Sequence, residues 1–375
     1  MEIAVNTRLL LKNKLEGIGW FTYENLKRIT VDHPEHHFYF LFDRDYSDEF
    51  IFADNITPVI LFPQARHPFL YHWWFQYSVY DFLKKIKPDL FISTDGYMPL
   101  SGKIKTLNVF HDLNFEHYPK DLPYIERWYY KRYFPRFARK ANRIATVSEY
   151  SKRDIVDKYK VSPDKIDVVY NGANSSFHPL DETSQAVIRE KVAGGKPYFF
   201  FIGSLHPRKN LVNLFRAYDI FRKSSDQKVM LVIAGAKKWW TSDIKAVYDS
   251  MEYKEGIIFT GRLMSKEVND LLASAMALTY VSYFEGFGIP IVEAFRCGTP
   301  VITSNVTSMP EIAGNAALTA DPFKPDSIAD AMVMIAENES LRQQLTTAGF
   351  ERAKQFTWDE SAKRLWASVL RVTRD

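Results

Sequence analysis

Short apolar runs alternate with amphipathic stretches along the whole chain. I-A-V at 3–5, F-Y-F-L-F at 38–42, D-L-F-I-S at 89–93, T-L-N-V-F at 106–110 and R-I-A-T-V at 143–147 are too brief for helices. Brief apolar runs separated by helical periodicity predict buried strands of a parallel α/β sheet. The pattern pauses between about 171 and 196, where N-G-A-N-S-S-F-H-P-L-D-E-T and A-G-G-K-P collect turn formers, and this stretch is expected to be an interdomain linker. It restarts with Y-F-F-F-I-G at 198–203, V-M-L-V-I-A-G at 229–235, G-I-I-F-T-G at 256–261, A-L-T-Y-V at 277–281 and P-V-I-T at 300–303. Two doubly wound, Rossmann-like domains are therefore expected. The last segment, T-W-D-E-S-A-K-R-L-W-A-S-V-L-R, predicts a helix behind a Thr cap.

Composition narrows this picture. A chain of 375 residues is longer than one core usually serves. With 46% hydrophobic and 25% charged residues it has the make-up of an ordinary globular protein. The single cysteine, Cys297, cannot form an internal disulfide, which fits a reducing cytoplasm and a packing role. M-E-I-A-V-N-T-R at the start reads as a first strand and not a signal peptide, and no apolar stretch approaches transmembrane length. The net charge of +4 gives no argument for nucleic acid. Its distribution is uneven, because residues 120–160 hold 12 Lys and Arg against 5 Asp and Glu. Aromatic residues make up 15% of the chain, with a cluster at Tyr71, Trp73, Trp74, Phe75 and Tyr77.

In open parallel sheets, ligands bind beyond the carboxyl ends of the strands. The stretch S-Y-F-E-G-F-G-I-P-I-V-E-A-F-R-C-G-T-P at 282–300 is the exit loop of one strand followed by a helix with Pro290 in its first turn. It holds Glu285 and Glu293. One carboxylate could accept the hydroxyls of a ribose and the other hold a second hydroxylated group; alternatively, Glu293 pairs with Arg296 or Arg262 while Glu285 caps a turn. In G-S-L-H-P-R-K-N, from Gly203 to Asn210, Arg208 and Lys209 lie between a strand and a helix start, where two cations could neutralise a diphosphate without a metal. Gly17-Ile18-Gly19 could admit a ligand close to the backbone, but no third glycine completes a dinucleotide fingerprint. Gly194-Gly195-Lys196 has the wrong spacing for a P-loop. His111, ending T-L-N-V-F-H-D, could touch a sugar or relay a proton with Asp112 orienting it, or be a loop histidine satisfied by its neighbour. Asp43-Arg44-Asp45 has the look of a metal-holding acidic triplet or of a solvent loop. Between 124 and 143, an aromatic stripe runs beside Arg132, Arg136, Arg139 and Arg143, suited to an anionic membrane surface or to a half-buried helix; Pro135 is expected to interrupt a regular helix there.

The order of motifs carries a resemblance. G-I-G, V-F-H-D, T-V-S-E-Y-S-K-R-D-I, V-V-Y-N-G, F-I-G-S-L-H-P-R-K-N-L, F-T-G-R-L, the stretch from Tyr283 to Asn305 and M-P-E-I-A-G-N-A-A resemble the retaining GT-B glycosyltransferases, the large family that includes bacterial mannosyltransferases, sucrose synthase and sucrose-phosphate synthase. The resemblance implies two Rossmann-like domains facing a central cleft: an acceptor domain over 1–175 completed by the helix at 357–375, and a nucleotide-sugar domain over 176–356. It implies that Glu293 holds the donor ribose, that Glu285 with Gly286, Phe287, Gly288 and Ile289 holds the donor sugar, and that Arg208 and Lys209 bind the diphosphate. Gly17 and Gly19 would let the first domain approach the donor, and His111 would lie near the reacting carbon. Gly203, Ser204 and Arg262 complete the implied donor set. Ser204 departs from the pattern, because many relatives carry arginine there, which puts more of the phosphate on Arg208 and Lys209.

The implied reaction is transfer of a hexosyl group with retention from a nucleotide-sugar, GDP-mannose first and a UDP-hexose second, to a saccharide or lipid-linked saccharide in surface polysaccharide synthesis. No metal or other cofactor is expected, and no nucleic acid partner. The expected location is cytoplasmic, with association to the inner face of an anionic membrane as a further expectation. Two readings from other classes stay open: a nucleotide-dependent dehydrogenase, and a non-catalytic nucleotide-sugar or glycan binder. A transferase holding a metal on Asp43 and Asp45 is a third.

Overall fold

The computed structural model describes residues 1–236 and 240–374. They form two compact units, one of Met1–Asn171 with the segment from Trp358 onward, the other Gly172–Thr357. In the first unit, β1 (Glu2–Asn6), β2 (His37–Phe42), β3 (Ile56–Ile60), β4 (Leu90–Ser93), β5 (Thr106–Phe110), β6 (Arg143–Thr146) and β7 (Ile166–Val168) make one parallel sheet in the order 3-2-1-4-5-6-7. Ile3 stands opposite Phe38 on one side and Leu90 on the other, which makes β1 a central strand buried on both faces. The helix Trp358–Arg374 packs on the helix Gly17–Asp32 and on β5 and β6. Its Trp366 stacks 4.0 Å from His33, and Arg371 pairs with Asp167 at 2.5 Å.

The second unit repeats the scheme with β8 (Tyr198–Ile202), β9 (Met230–Ala234), β10 (Ile257–Gly261), β11 (Ala277–Tyr280), β12 (Val301–Ser304) and β13 (Leu318–Ala320), in the order 10-9-8-11-12-13. Its core joins Phe199 and Phe201 of β8 to Leu214, Phe215, Tyr218 and Phe221 of the helix Leu211–Ser224 and to Ile328 and Met332 of the helix Pro325–Glu337. Both sheets reverse their strand order beside the first strand, between β1 and β4 and between β8 and β11. Ligand crevices of open sheets lie at the carboxyl side of such switch points.

Two expectations require correction. The stretch 171–196 is not a featureless linker, because Glu182–Ala193 is a helix. The turn formers there are its caps: Asp181 accepts from Ser184 N at 2.8 Å, and Gly194 at φ +58° closes the far end, with Gly195 N donating to Arg189 O at 3.2 Å. Nor does Pro135 interrupt the helix Tyr124–Lys140. The proline removes one backbone donor, but buried Tyr129, Phe134, Phe137 and Ala138 hold the segment helical on both sides of it.

Candidate active site

The exit of β8 passes directly into the polar residues. Gly203 sits at φ +152°, and the stem of Lys209 runs over it. Gly235, at the exit of β9, presses so closely that a Cβ there would stand 2.0 Å from the Gly203 carbonyl oxygen. Pro207–Lys209 forms one tight turn, and Asn210 follows it in the left-handed region at φ +64°. Asn210 fixes the turn in place by donating to Val281 O at 2.9 Å and Pro322 O at 2.7 Å. Tyr283 N donates to Arg208 O at 3.0 Å, tying the exit of β8 to the exit of β11.

Glu285 meets both cations on that turn. Lys209 Nζ donates to Glu285 Oε1 at 2.6 Å and Arg208 Nη1 to Oε2 at 3.1 Å. Lys209 also donates to the Tyr280 hydroxyl and lies 4.7 Å from the centre of its ring. Burial alone would raise the Glu285 carboxyl, but Arg208 and then Lys209 outweigh it and hold the group down at about 2. Burial and the Glu285 charge keep the Tyr280 phenol far above its ordinary range. The cluster of two cations and one carboxylate carries one net positive charge where the two exits converge.

The loop between the glutamates is pinned from β12. Ser308 Oγ donates to Glu285 O at 2.9 Å and Phe287 O at 3.2 Å, and Thr307, left-handed at φ +59°, brings its hydroxyl to accept from Glu285 N at 3.4 Å. Gly288, at φ +97°, turns the chain into the helix Ile289–Cys297. Glu293 is in the middle of that helix and half-buried. Neither Arg296 nor Arg262 pairs with it among the described residues: Arg296 Nε donates to Phe177 O at 3.4 Å, and Arg262 is exposed beyond β10. Burial without a counter-charge raises the Glu293 carboxyl to about 7. The two glutamates are therefore electrostatic opposites, one ionised and paired with two cations, the other half-buried with no cation paired to it among the described residues. Ser204 is exposed at the β8 exit. Cys297 is buried, and its Sγ donates to Asn269 Oδ1 at 3.4 Å.

In the first unit, His111 leaves β5 half-buried with its ring edge-on to Phe21 at 5.0 Å. Its Nε2 lies 2.8 Å from the Thr94 carbonyl, which can only accept, so Nε2 carries the proton and Nδ1 presents a lone pair. Burial lowers the ring's pKa, favouring this neutral form. The orienting bond thus comes from the β4 exit, while Asp112 Oδ1 accepts from Asn114 N at 3.0 Å. That exit is braced by Asp95, which accepts from Arg8 Nε at 2.6 Å and Asn6 Nδ2 at 2.7 Å; Arg8 in turn lies 4.9 Å from the Tyr97 ring centre and 5.0 Å from that of Tyr71. A Cβ at Gly19 would stand 3.0 Å from the Leu9 carbonyl, whereas one at Gly17 would meet nothing within 4 Å. Gly19 therefore has a packing reason in the fold. Asp43 is fully buried, and its carboxylate accepts from Arg44 at 2.6 Å and from Ala65 N at 2.8 Å, bonds that give it a structural role in holding the loop after β3.

Two protein-family models account for most of the sequence. Residues 17–177 match Glycosyltransferase Family 4 and residues 184–352 match Glycosyl transferases group 1. The chain belongs to the GT-B glycosyltransferases. It is 29% identical over 283 residues to the O-antigen chain mannosyltransferase B of Escherichia coli, spanning 74% of this chain and 73% of that one. It is 28% identical over 269 residues to the O-antigen chain mannosyltransferase RfbU of Salmonella typhimurium, spanning 72% and 70%. The fold is shared with sucrose-phosphate synthase of Thermosynechococcus elongatus (TM-score 0.77, 16% identity, 99% of this chain and 98% of that one). It is shared equally with WaaG, a glycosyltransferase of lipopolysaccharide biosynthesis (TM-score 0.75, 15% identity, 98% and 99%).

Sequence reasoning alone missed several residues of this glycosyltransferase that shape the site. Tyr280, Thr307, Ser308, Gly235 and the Arg8–Asp95 pair were not singled out. Tyr280 and Ser308 carry one available signal, since each stands at or just past the carboxyl end of a strand predicted from its apolar run. Nothing in the sequence marks Arg8 as buried, because its aromatic surroundings come from residues 71–130.

Proposed function

We propose that the protein is a retaining, metal-independent hexosyltransferase that moves mannose from GDP-mannose, with a UDP-hexose as the second donor, to a saccharide or lipid-linked saccharide acceptor in surface polysaccharide synthesis. The observation that carries the reading is the asymmetry between the glutamates: Glu285 is locked onto Arg208 and Lys209, while Glu293 is half-buried with no cation paired to it among the described residues. A ribose supplies the missing donors, since vicinal hydroxyls can both donate to one carboxylate. Arg208 and Lys209 are then placed for the diphosphate, and Glu285 and the backbone of Gly286, Phe287, Gly288 and Ile289 for the donor sugar. The mannose preference is supported by the O-antigen mannosyltransferases to which the chain is similar.

In this reading the bond between the anomeric carbon and the leaving phosphate oxygen breaks through an oxocarbenium-like state. A bond from the acceptor oxygen forms on the same face, and the acceptor proton passes to the departing phosphate. Arg208 and Lys209 stabilise the charge that grows on the leaving group, and this is where preorganised cations lower a barrier most. His111, neutral, offers its Nδ1 as an acceptor to a sugar hydroxyl. Trapping a covalent glycosyl-enzyme would replace this scheme with a double displacement.

The test is calorimetric titration, in EDTA, with GDP, UDP, ADP and NAD, on the wild type and Glu293→Ala. Tight binding of one nucleoside diphosphate, weakened in the variant, supports the donor site and names the base. Binding of NAD alone, or nucleotide binding indifferent to Glu293, overturns it.

A further inference from the structure

The first unit leaves large aromatic side chains in water from two neighbouring helices. One begins at Pro68–Trp73 and continues without a break through a widened turn at Trp74–Val79 to Ile86. Its inner face, with Trp74, Phe75 and Val79, is wholly buried. Its outer face carries Phe69, Trp73 and Tyr77 at intervals of four, 67%, 56% and 52% exposed, with Leu70 beside them. Large aromatic side chains on the solvent side of a helix whose other side is already buried mark an interaction surface. The second helix, Tyr124–Lys140, exposes Tyr124, Ile125 and Trp128 in its first turns, then Lys131, Arg132 and Arg139 further along. The helices meet where the His72 ring lies 5.2 Å from that of Tyr133, and Tyr133 lies 6.3 Å from Trp128, so the contact joins the two exposed rows.

Positive charge outweighs negative on this face, although exposed Asp81 follows Tyr77 by one turn and Glu126 lies in the first turn of the second helix. Residues 55–80 contain no Asp or Glu, and residues 120–143 hold 8 Lys and Arg against 2 acids. Arg127 lies 5.2 Å over the Tyr124 ring, and Arg136 lies 5.7 Å over that of Tyr133. Trp, Tyr and Phe beside Lys and Arg are the side chains that settle at the boundary between headgroups and acyl chains, ring inward and cation outward.

We propose that this face, built from Phe69, Trp73 and Tyr77 on one helix and Tyr124, Ile125, Trp128, Lys131 and Arg132 on the other, seats the first unit on an anionic lipid surface. The biological purpose of such seating rests on the reading of a lipid-linked acceptor; the argument for it rests on exposure and charge alone. A second copy of this chain or another protein is the competing occupant. It would have to cover an aromatic face that carries almost no acid, whereas a phosphate-bearing bilayer matches both halves of it.

The experiment uses the full chain with vesicles of zwitterionic lipid, with and without about a third of anionic lipid. Sedimentation should retain the wild type on anionic vesicles, and salt should release it. Phe69→Ser with Trp73→Ser should lower retention tenfold or more, as should Trp128→Ser combined with Tyr124→Ser. Lys131→Glu with Arg132→Glu should cost about fivefold for each charge removed. Brominated acyl chains should quench tryptophan emission in the wild type and less in the Trp73 and Trp128 variants. Failure of the wild type to bind anionic vesicles, or retention indifferent to all these variants, overturns the proposal. Wild-type self-association abolished by the same variants would overturn it too, by assigning the face to a second copy. Nucleotide titration of every variant keeps the two readings apart: unchanged affinity with lost retention supports the lipid surface, while a wild type that binds vesicles but no nucleotide removes the transferase reading and leaves this one standing.

Discussion

If Glu293 holds a ribose, nucleotide affinity must follow its ionisation. Burial pushes the carboxyl up to about 7, and no cation among the described residues pairs with it to offset that. Ribose hydroxyls donate to the ionised form, so binding must first remove the proton. At pH 6 about one molecule in eleven is ionised, and at pH 8 about ten in eleven, which makes affinity about tenfold weaker at the lower pH, or about 1.4 kcal/mol. The nucleotide's own terminal phosphate titrates near pH 6 as well. The comparison is therefore with Glu293→Gln, which sees the same nucleotide but has no proton to lose. Calorimetric titration from pH 5.5 to 8.5 should show the ratio of wild-type to variant affinity rising about thirtyfold and levelling off above pH 8.

The same group makes an opposite statement about stability. Its folded value lies above the ordinary 4.5, so the folded chain binds more protons between about 4.5 and 7, and stability falls as pH rises through that window. The loss is on the order of 3 kcal/mol before solvent at its half-buried edge is allowed for, and about half that after. Glu293→Gln should accordingly melt higher than the wild type at pH 8 while binding nucleotide less well. Parallel pH profiles for affinity in the two proteins, or a variant that melts lower at pH 8, would refute the assignment of Glu293 as an unpaired carboxylate awaiting a ligand.

Three further outcomes are expected. Glu285→Gln removes the carboxylate charge that Lys209 meets at 2.6 Å and should cost about 3 kcal/mol at pH 7, read by urea denaturation. Inorganic pyrophosphate should then raise the variant's melting temperature more than the wild type's, because it replaces the lost anion; no difference would mean that phosphate does not reach this cluster. Gly235→Ala should lower stability by about 2–4 kcal/mol, since its Cβ would stand 2.0 Å from the Gly203 carbonyl. Pro135→Ala restores a helical donor toward residue 131 and should raise stability by about 1–3 kcal/mol, seen as a higher thermal midpoint.

How far the sequence could be read depended on whether a feature was local. Strand positions were legible because apolar runs such as Y-F-F-F-I-G record burial on both faces of a central strand, and helix boundaries were legible where caps stand next to them. The stretch 171–196 was misread because Asp181 and Gly194 look like linker residues until the helix between them is seen to expose most of its side chains. Pro135 was misread because local propensity was weighed without the aromatic packing that overrides it. Glu285, Arg208 and Lys209 were each legible as residues at strand exits. Their union was not, because it joins positions 76 and 77 apart in the chain through a strand order that only the sheet establishes.

That union bears on how such a site could release its product. Two cations converging without an anion would repel one another and would hold a diphosphate tightly. With Glu285 between them, the three side chains carry one net positive charge, and the two cations hold the Glu285 carboxyl down at about 2. If Arg208 and Lys209 bind the diphosphate, an arriving one must share them with a carboxylate already in place, so it gains less than two cations without that carboxylate would give. A departing one leaves behind an ion pair and not two bare charges, which lowers the barrier to its loss. Glu293 would work in the reverse sense, because it has no cation paired to it among the described residues and would gain charge-stabilising donors from a ligand that brings hydroxyls. Binding selectivity would then reside in the ribose carboxylate, and turnover in the carboxylate that keeps the phosphate cations occupied.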